Sequence, residues 1–327
     1  MMSGLLLVDL GGTKTFYGVL PSNATSTDDF YFRKVRETIK GKKGLYQLFS
    51  TILDDISKQS KVPSGCHISQ VLIACPGRII DGVISPGSCN NMSIVQGEFD
   101  GLDLISFLAP LFAKNTRLTV MNDAEAQMAG GVIECLQDES LSGYVLDQTV
   151  GYIGPGTGLG GGFCEVDSKG RLQFITDGHL YDVRMTDSQG SEQKAEDLIS
   201  GRAFKTITGY SAKQMSDSRD LFLHHIDDIS RMGAYIVSLI QLILEGHIFK
   251  SLSQNDWPLT DIDKVKGCRT FLLGGSLGTK GYFGEALQTA IQICLDESDL
   301  EDVHVVPLPD SDEAPFIGLM RLRESLR

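Results

Sequence analysis

Residues 5–20 read LLLVDLGGTKTFYGVL. Leu5 to Leu10 and Thr15 to Leu20 are runs of apolar, β-branched and aromatic residues, and the glycine pair between them predicts two strands joined by a tight turn. A third strand-like run, Phe30 to Arg36, follows a stretch rich in Pro, Asn and Asp. Leu45, Leu48, Phe49, Ile52, Leu53 and Ile56 then recur at the spacing of an amphipathic helix, and Val71 to Cys75 predicts a buried strand. Three strands, a helix and a further strand open an α/β domain. Leu102 to Phe112 carries a second helical pattern. Arg117 to Met121 is a short strand ending at Asn122 and Asp123, ahead of the helix-favouring AEAQMAGGVIE.

The second half echoes the first. Tyr144 to Ile153, Gly162 to Val166 and Leu172 to Ile175 read as strands around the glycine-rich stretch GPGTGLGGG at 154–162. Helical periodicity follows at Glu196 to Phe204, Leu221 to Leu244 and Phe283 to Leu295, interrupted by strand-like Thr270 to Leu273 and Val303 to Val306. No Pro- or Ser-rich linker divides the chain, and no period of roughly 20 to 50 residues recurs. Two similar α/β domains facing each other across a cleft are expected, in keeping with 327 residues at roughly 150 per domain.

Composition narrows the function. The 42 acidic and 29 basic side chains give a net charge of −13, and no Lys/Arg cluster stands out, which disfavours nucleic acid and anionic lipid as partners. The apolar stretch Met232 to Leu244 falls short of the roughly 20 residues that span a bilayer and contains Gly233, Ser238 and Gln241, so a core helix is expected and no membrane association. The opening MMSGLLLVDLGGTK lacks a basic leader, which predicts a cytoplasmic protein. Seven cysteines, at 66, 75, 89, 135, 164, 268 and 294, include no CxxC pair, which suits buried reduced thiols.

Five motifs carry the candidate chemistry. In Asp9-Leu10-Gly11-Gly12-Thr13-Lys14, the glycines let backbone N–H groups approach a phosphate, Asp9 could hold a hydrated Mg²⁺, and Thr13 or Lys14 could touch phosphate oxygens; a plain hairpin turn is the alternative. Gly156, Gly158 and Gly161 match GxGxxG, but the strand-like FCEV that follows leaves no helix N-terminus for a dinucleotide, and no Gly-Lys-Ser/Thr makes a P-loop. Close approach to an anion or a flexible surface loop remain for 154–162. Asp123 either caps the helix after it or accepts a proton from a substrate hydroxyl, with Asn122 orienting that substrate. Asp177-Gly178-His179 and the distal Glu196 could converge on a polyhydroxylated ligand, or be a structural histidine and an exposed helix residue. Gly274 and Gly275 end an apolar run, where a nucleotide base could lie on bare backbone or a strand simply turns. His224, His225 and His247 form no further cluster and read as structural or surface residues.

Taken in order, DLGGTKT, CPGRIIDGVISPG, MNDAEA, GPGTGLGGG, a Gly-His pair with a distal Glu, and LLGGS resemble the ROK family of sugar kinases and the related bacterial glucokinases. The resemblance implies two actin-like (ribonuclease H-like) α/β domains clamping ATP·Mg²⁺ and sugar in a homodimer. Residues 1–122, completed by a C-terminal helix at 312–327, would form the first domain and 123–311 the larger second one. It implies that Asp9, Gly11, Gly12, Thr13 and Lys14 face the β- and γ-phosphates and Mg²⁺, with Asp9 reaching the metal through water. Gly156, Thr157 and Gly158 would form a second phosphate loop, and Gly274 and Gly275 would lie by the adenosine. Asp123 would be the catalytic base, while Asn122, His179, Glu196, Gly77 and Asn91 would serve the sugar.

Two departures bear on substrate and metal. Family members commonly carry Glu three positions before the His, where this chain has Thr176, with Asp177 one residue later. Many also place cysteines after the Gly-His pair for zinc, but Leu180 to Ala195 has none, so no zinc site is expected. The expected activity is γ-phosphoryl transfer from ATP to a hexose hydroxyl, with the 6-OH of glucose first and an N-acetylhexosamine (N-acetylmannosamine or N-acetylglucosamine) as the alternative. A non-catalytic sugar- or nucleotide-binding regulator of the same fold, and an ATPase without a sugar, are the competing classes.

Overall fold

A computed structural model describes residues 2–89, 91–176, 179–247, 259–309 and 312–325. The chain divides into two compact units, Met1–Gly130 with Asp312–Arg327, and Gly131–Ser311.

In the first unit, β1 (Ser3–Leu10), β2 (Lys14–Pro21) and β3 (Phe32–Glu37) form the antiparallel side of a sheet. After α1 (Gly41–Ser57), the strand β4 (His67–Cys75) pairs parallel with β1. A small hairpin of β5 (Ile79–Ile80) and β6 (Val83–Ile84), the short α2 (Leu104–Leu108) and β7 (Arg117–Asn122) follow, giving the sheet order β3-β2-β1-β4-β7. The register sets Asp9 beside Ala74 and Cys75 beside Asn122, so the carboxyl ends of the three parallel strands share one edge, the usual ligand-binding edge of such sheets. Leu45, Leu48, Phe49 and Ile52 of α1 are fully buried with Leu6, Val8, Val71 and Ile73, each such burial contributing roughly 1.5–3 kcal/mol.

The helix α3 (Asp123–Gln137) carries the division between the units. Within the first unit its start crosses the C-terminal helix (Ala314–Ser325) through bare backbone. A Cβ on Gly130 would overlap the carbonyl oxygen of Ala314, and one on Gly318 would overlap that of Ala126. Ala126 and Gly130, and Ala314 and Gly318, are each one helical turn apart, so both helices present a small-residue stripe.

The second unit repeats the pattern. After a helical turn, α4 (Ser142–Val145), come β8 (Gln148–Pro155), β9 (Leu159–Val166) and β10 (Leu172–Thr176), then a hairpin of β11 (Arg184–Thr186) and β12 (Glu192–Lys194). The helices α5 (Gly201–Thr208), α6 (Ala212–Asp217), α7 (Arg219–His224), α8 (Ile226–Leu244) and α9 (Leu259–Lys266) precede β13 (Thr270–Leu273). Next come α10 (Gly275–Thr279), α11 (Gly281–Asp296) and β14 (His304–Pro307), and the sheet order is β10-β9-β8-β13-β14. Strand directions match those of the first sheet: two antiparallel pairings, then two parallel ones. Its core joins Phe163 and Phe271 to Met232, Ile236 and Ile240 of α8 and Leu287 and Ile291 of α11. Gly233 lets the two helices touch, since a Cβ there would lie 2.8 Å from that of Ala290. Among the described residues no helix is long and apolar enough to cross a membrane.

Several elements depart from the sequence expectations. Only Leu104–Leu108 of the 102–112 pattern is α-helical; the chain tightens to a 3₁₀ turn at Ala109–Leu111, where Pro110 brings no N–H. Residues 142–145 form a helical turn and the strand starts at Gln148, after Asp147 takes a left-handed φ of 59°. The helix expected from Glu196 is a 3₁₀ turn at Ala195–Asp197, and the α-helix begins at Gly201, where Ser200 caps it by accepting from Ala203 N–H. The long pattern to Leu244 breaks at His225, β14 starts one residue late, and Gly275 opens a short helix rather than a plain turn.

Candidate active site

In the first unit the hairpin at Gly11–Lys14 closes through a Gly11 N–H to Lys14 O bond of 2.9 Å. A Cβ on Gly11 would sit 2.6 Å from that same oxygen, so glycine is what lets the turn close. The clasp is Thr38, which the sequence reading missed. Its N–H donates to Thr13 O at 2.9 Å, its hydroxyl donates to Gly11 O at 2.7 Å, and its Oγ1 meets that of the buried Thr15 at 2.9 Å. The antiparallel register Lys14↔Glu37 already puts residue 38 opposite residue 13, which is the signal that could have found it. Thr13 and Lys14 are exposed at the tip, and Gly12 lies against Asn91, whose Cβ would be 3.0 Å from a Cβ there.

Asp9 stands at the end of β1. Desolvation, then the neighbouring charges of Asp123 and Asp312, push its carboxyl up to about 7. Asp123 begins α3, and desolvation raises its carboxyl to about 6 against the pull of the Ala124 N–H and its own. The helix cap is chiefly Asn122. Its Oδ1 accepts from Ala124 N–H at 2.9 Å and Glu125 N–H at 3.1 Å, while its Nδ2 donates to Gly77 O at 2.8 Å. Asp123 reaches no further along the helix than the adjacent Ala124 N–H, at 2.9 Å, and its own N–H. Gly77 needs its φ of 103°, and its missing side chain makes room for Ser88 and Cys89, whose atoms would lie 3.1 Å from a Cβ. Ser88 Oγ accepts from Arg78 N–H at 3.0 Å and folds the loop back on itself. Beneath lie the thiols of Cys75 and Cys89; the hydrogen bond to Cys89 and burial hold the Cys75 thiol well above its ordinary range.

In the second unit the β8–β9 hairpin closes through Gly156 N–H to Gly158 O at 2.9 Å. Its outward carbonyls are held by the start of α5: Gly201 N–H donates to Gly156 O at 2.8 Å and Arg202 N–H to Thr157 O at 3.3 Å. Several glycines here answer to packing. A Cβ on Gly154 would overlap the ring of Tyr152, one on Gly274 would lie 2.5 Å from that ring, and one on Gly275, at φ 68°, would overlap Pro155 O. Gly161 is closed by Leu180. Gly156 differs, because a Cβ there meets nothing nearer than Gly158 O at 4.0 Å. The space a side chain would enter is open there, although its N–H is given to Gly158 and its carbonyl to Gly201.

Glu196 lies in the turn Ala195–Asp197 with an 18% exposed side chain. It accepts from the Leu159 N–H of the hairpin and pairs with Arg202 Nη2 at 3.0 Å. Burial raises its carboxyl and Arg202 opposes that rise. The backbone of His179 opens a 3₁₀ turn, His179–Asp182, packed on β9 and on the turn at 195–197; Asp177 and Gly178 lie outside the described residues. Thus Asp9, Gly11 to Lys14, Gly77, Asn91, Asn122 and Asp123 gather at one edge of the first sheet, and Gly156 to Gly158, Glu196, Gly274 and Gly275 around the hairpin of the second. Among the described residues, no three His, Cys, Asp or Glu side chains are grouped to hold a metal ion directly.

This fold, two like-ordered sheets each with a glycine hairpin, is that of the ROK sugar kinases and glucokinases. A glucokinase from Balamuthia mandrillaris in complex with glucose superposes with a TM-score of 0.71 at 15% identity, covering 99% of this chain and 94% of that one. A ROK family glucokinase from Streptomyces griseus in complex with glucose and AMPPNP gives 0.63 at 17% identity, covering 99% and 100%. A ROK family transcriptional regulator, a homologue of the E. coli MLC protein, gives 0.65 at 12% identity, covering 99% and 78%. No protein-family model and no curated protein sequence matches the chain.

Proposed function

We propose that this chain is an ATP-dependent sugar kinase transferring the γ-phosphoryl group to a hexose hydroxyl, first the 6-OH of glucose and second an N-acetylhexosamine. The observation that carries the reading is the division of labour at 122–123: Asn122 caps α3, which leaves the Asp123 carboxyl, raised to about 6, for chemistry. A base titrating just below neutral is ionised at pH 7 yet accepts a proton readily. As the sugar oxygen bonds to phosphorus and the bond to ADP breaks, Asp123 takes the hydroxyl proton and later returns it to water.

The donor set suits magnesium, since Asp9 and Asp123 offer hard oxygens whose mutual repulsion a cation relieves. When bound, Mg²⁺ supplies charge against the β- and γ-phosphates, and Asp9 would hold it through water. The Gly11–Lys14 tip and the Gly156–Thr157–Gly158 turn would face the phosphate oxygens, with Gly274 and Gly275 near the adenosine. Asn122, Asn91, Gly77, His179 and Glu196 would hold the sugar, Asn122 through the N–H not given to Gly77. The reading carries with it a cytoplasmic site of action, where ATP is supplied, and a homodimer.

The likeness to a transcriptional regulator supports a second reading, a sugar- or nucleotide-binding protein without turnover. The test is ADP release with Mg·ATP across glucose, mannose, fructose, N-acetylglucosamine, N-acetylmannosamine and no sugar. A response to one sugar that Asp123→Asn abolishes is expected. Binding without release favours the regulator, and release independent of sugar an ATPase.

A further inference from the structure

Glu196 and the second hairpin are joined by one residue. Arg202 gives its main-chain N–H to Thr157 O at 3.3 Å, and its guanidinium reaches back to Glu196 Oε1 at 3.0 Å. Its position is fixed from behind, because the fully buried Ser200 caps α5 and Gly201 N–H holds Gly156 O at 2.8 Å. Two further charges act on Glu196: Asp197 beside it, and Lys194, which is engaged by Asp182 at 2.6 Å. Arg202 is therefore the cation left to face this carboxylate, and its 55% exposed side chain makes no deep packing contribution.

We propose that Arg202 is a positioning residue for sugar recognition, holding Glu196 as an aimed, anionic acceptor of carbohydrate hydroxyls beside the β8–β9 hairpin. The inference rests on the assignment of Glu196 to the sugar. The guanidinium on Oε1 and the Leu159 N–H together fix the side-chain rotamer and leave the remaining carboxylate lone pairs to accept from the ligand. The guanidinium also offsets the burial that pushes the Glu196 carboxyl upward. A lysine would supply the charge without the planar fork.

The experiment is a double-mutant cycle of Arg202→Gln and Glu196→Gln in the full chain, with glucose and N-acetylmannosamine as probes and Tm as the folding control. Arg202→Gln is expected to raise sugar KM about tenfold, a loss typical of a charge-assisted contact, with KM for ATP within about twofold. In the Glu196→Gln background it should add nothing, and Arg202→Lys should recover part of the loss. Equal effects in both backgrounds, or a change confined to KM for ATP, would overturn the proposal. If the wild-type chain releases no ADP with either probe, the same cycle is read in sugar Kd by calorimetry. Coupling there upholds Arg202 while the kinase reading falls; absence of sugar binding removes both.

Discussion

The Asp123 carboxyl, raised by desolvation to about 6, ties the proposed transfer to pH. As the proposed base Asp123 must be ionised to accept a proton, so with a value near 6 in the free protein kcat/KM is expected to fall about tenfold per pH unit below that point. Asp123→Asn should lower turnover by roughly 10²–10⁴-fold while sugar KM holds and Tm near neutral pH does not fall, since Asn122 keeps the cap and a desolvated charge is removed. Asp9 makes a stability prediction. Its folded value, about 7, lies above the ordinary 3.8, so the folded state binds the proton more tightly. That stabilisation is complete below 3.8 and is lost as pH rises through about 7. Without Mg²⁺, Asp9→Asn should therefore gain Tm over wild type progressively from pH 5 to pH 8. The glycine hairpin separates packing from ligand approach: Gly154→Ala overlaps Tyr152 and should cost roughly 1–3 kcal/mol, whereas Gly156→Ala finds open space and should leave Tm unchanged while raising KM for ATP. Sequence alone offered both roles for Asp123 because Asn and Asp cap equally well; the backbone frame at 122–125 hands most of the duty to Asn122. The glycines of 154–162 were likewise legible as a cluster but not divisible by cause, since a Tyr152 or Leu180 side chain that fills the missing Cβ space leaves no local signal.

Among elements, the crossing of α3 with the C-terminal helix is the most exacting. With Gly318 against Ala126 O and Gly130 against Ala314 O, any side chain must drive the helices apart. Gly318→Leu should lower Tm by on the order of 10 °C, measured by calorimetry, against little change for an exposed α1 position such as Lys43→Leu. Helices with a clean apolar stripe were legible: α1 and α11 fall where their patterns put them. The region after Glu196 was not, because the apolar spacing of Ala195, Leu198, Ile199 and Ala203 runs through a 3₁₀ turn and a new α-helix, and only the Ser200 cap marks the seam. Pro110 was a comparable mark in the 102–112 pattern. Arg202, six residues from Glu196, has no periodic relation to it; their meeting depends on the path of the chain through Ser200.

For the whole molecule, the repeated strand, glycine turn, strand opening was legible as an echo and accounts for the antiparallel hairpin that each sheet contains. The pairing of β4 with β7 and of β13 with β14 is non-local and left no sequence pattern of its own. The proposed homodimer is tested by light scattering, where a mass of about twice the 35.6 kDa chain is expected at micromolar concentration and a mass of one chain would refute it. The return of residues 312–327 to the first unit has a further consequence, for synthesis on the ribosome. The half of the protein made first cannot seat this helix until residues 312–327 have been made, whereas residues 131–311 are all available before then. The nascent chain thus completes residues 131–311 before residues 1–130, and loss of 312–327 would strand the oldest part of the molecule rather than the newest.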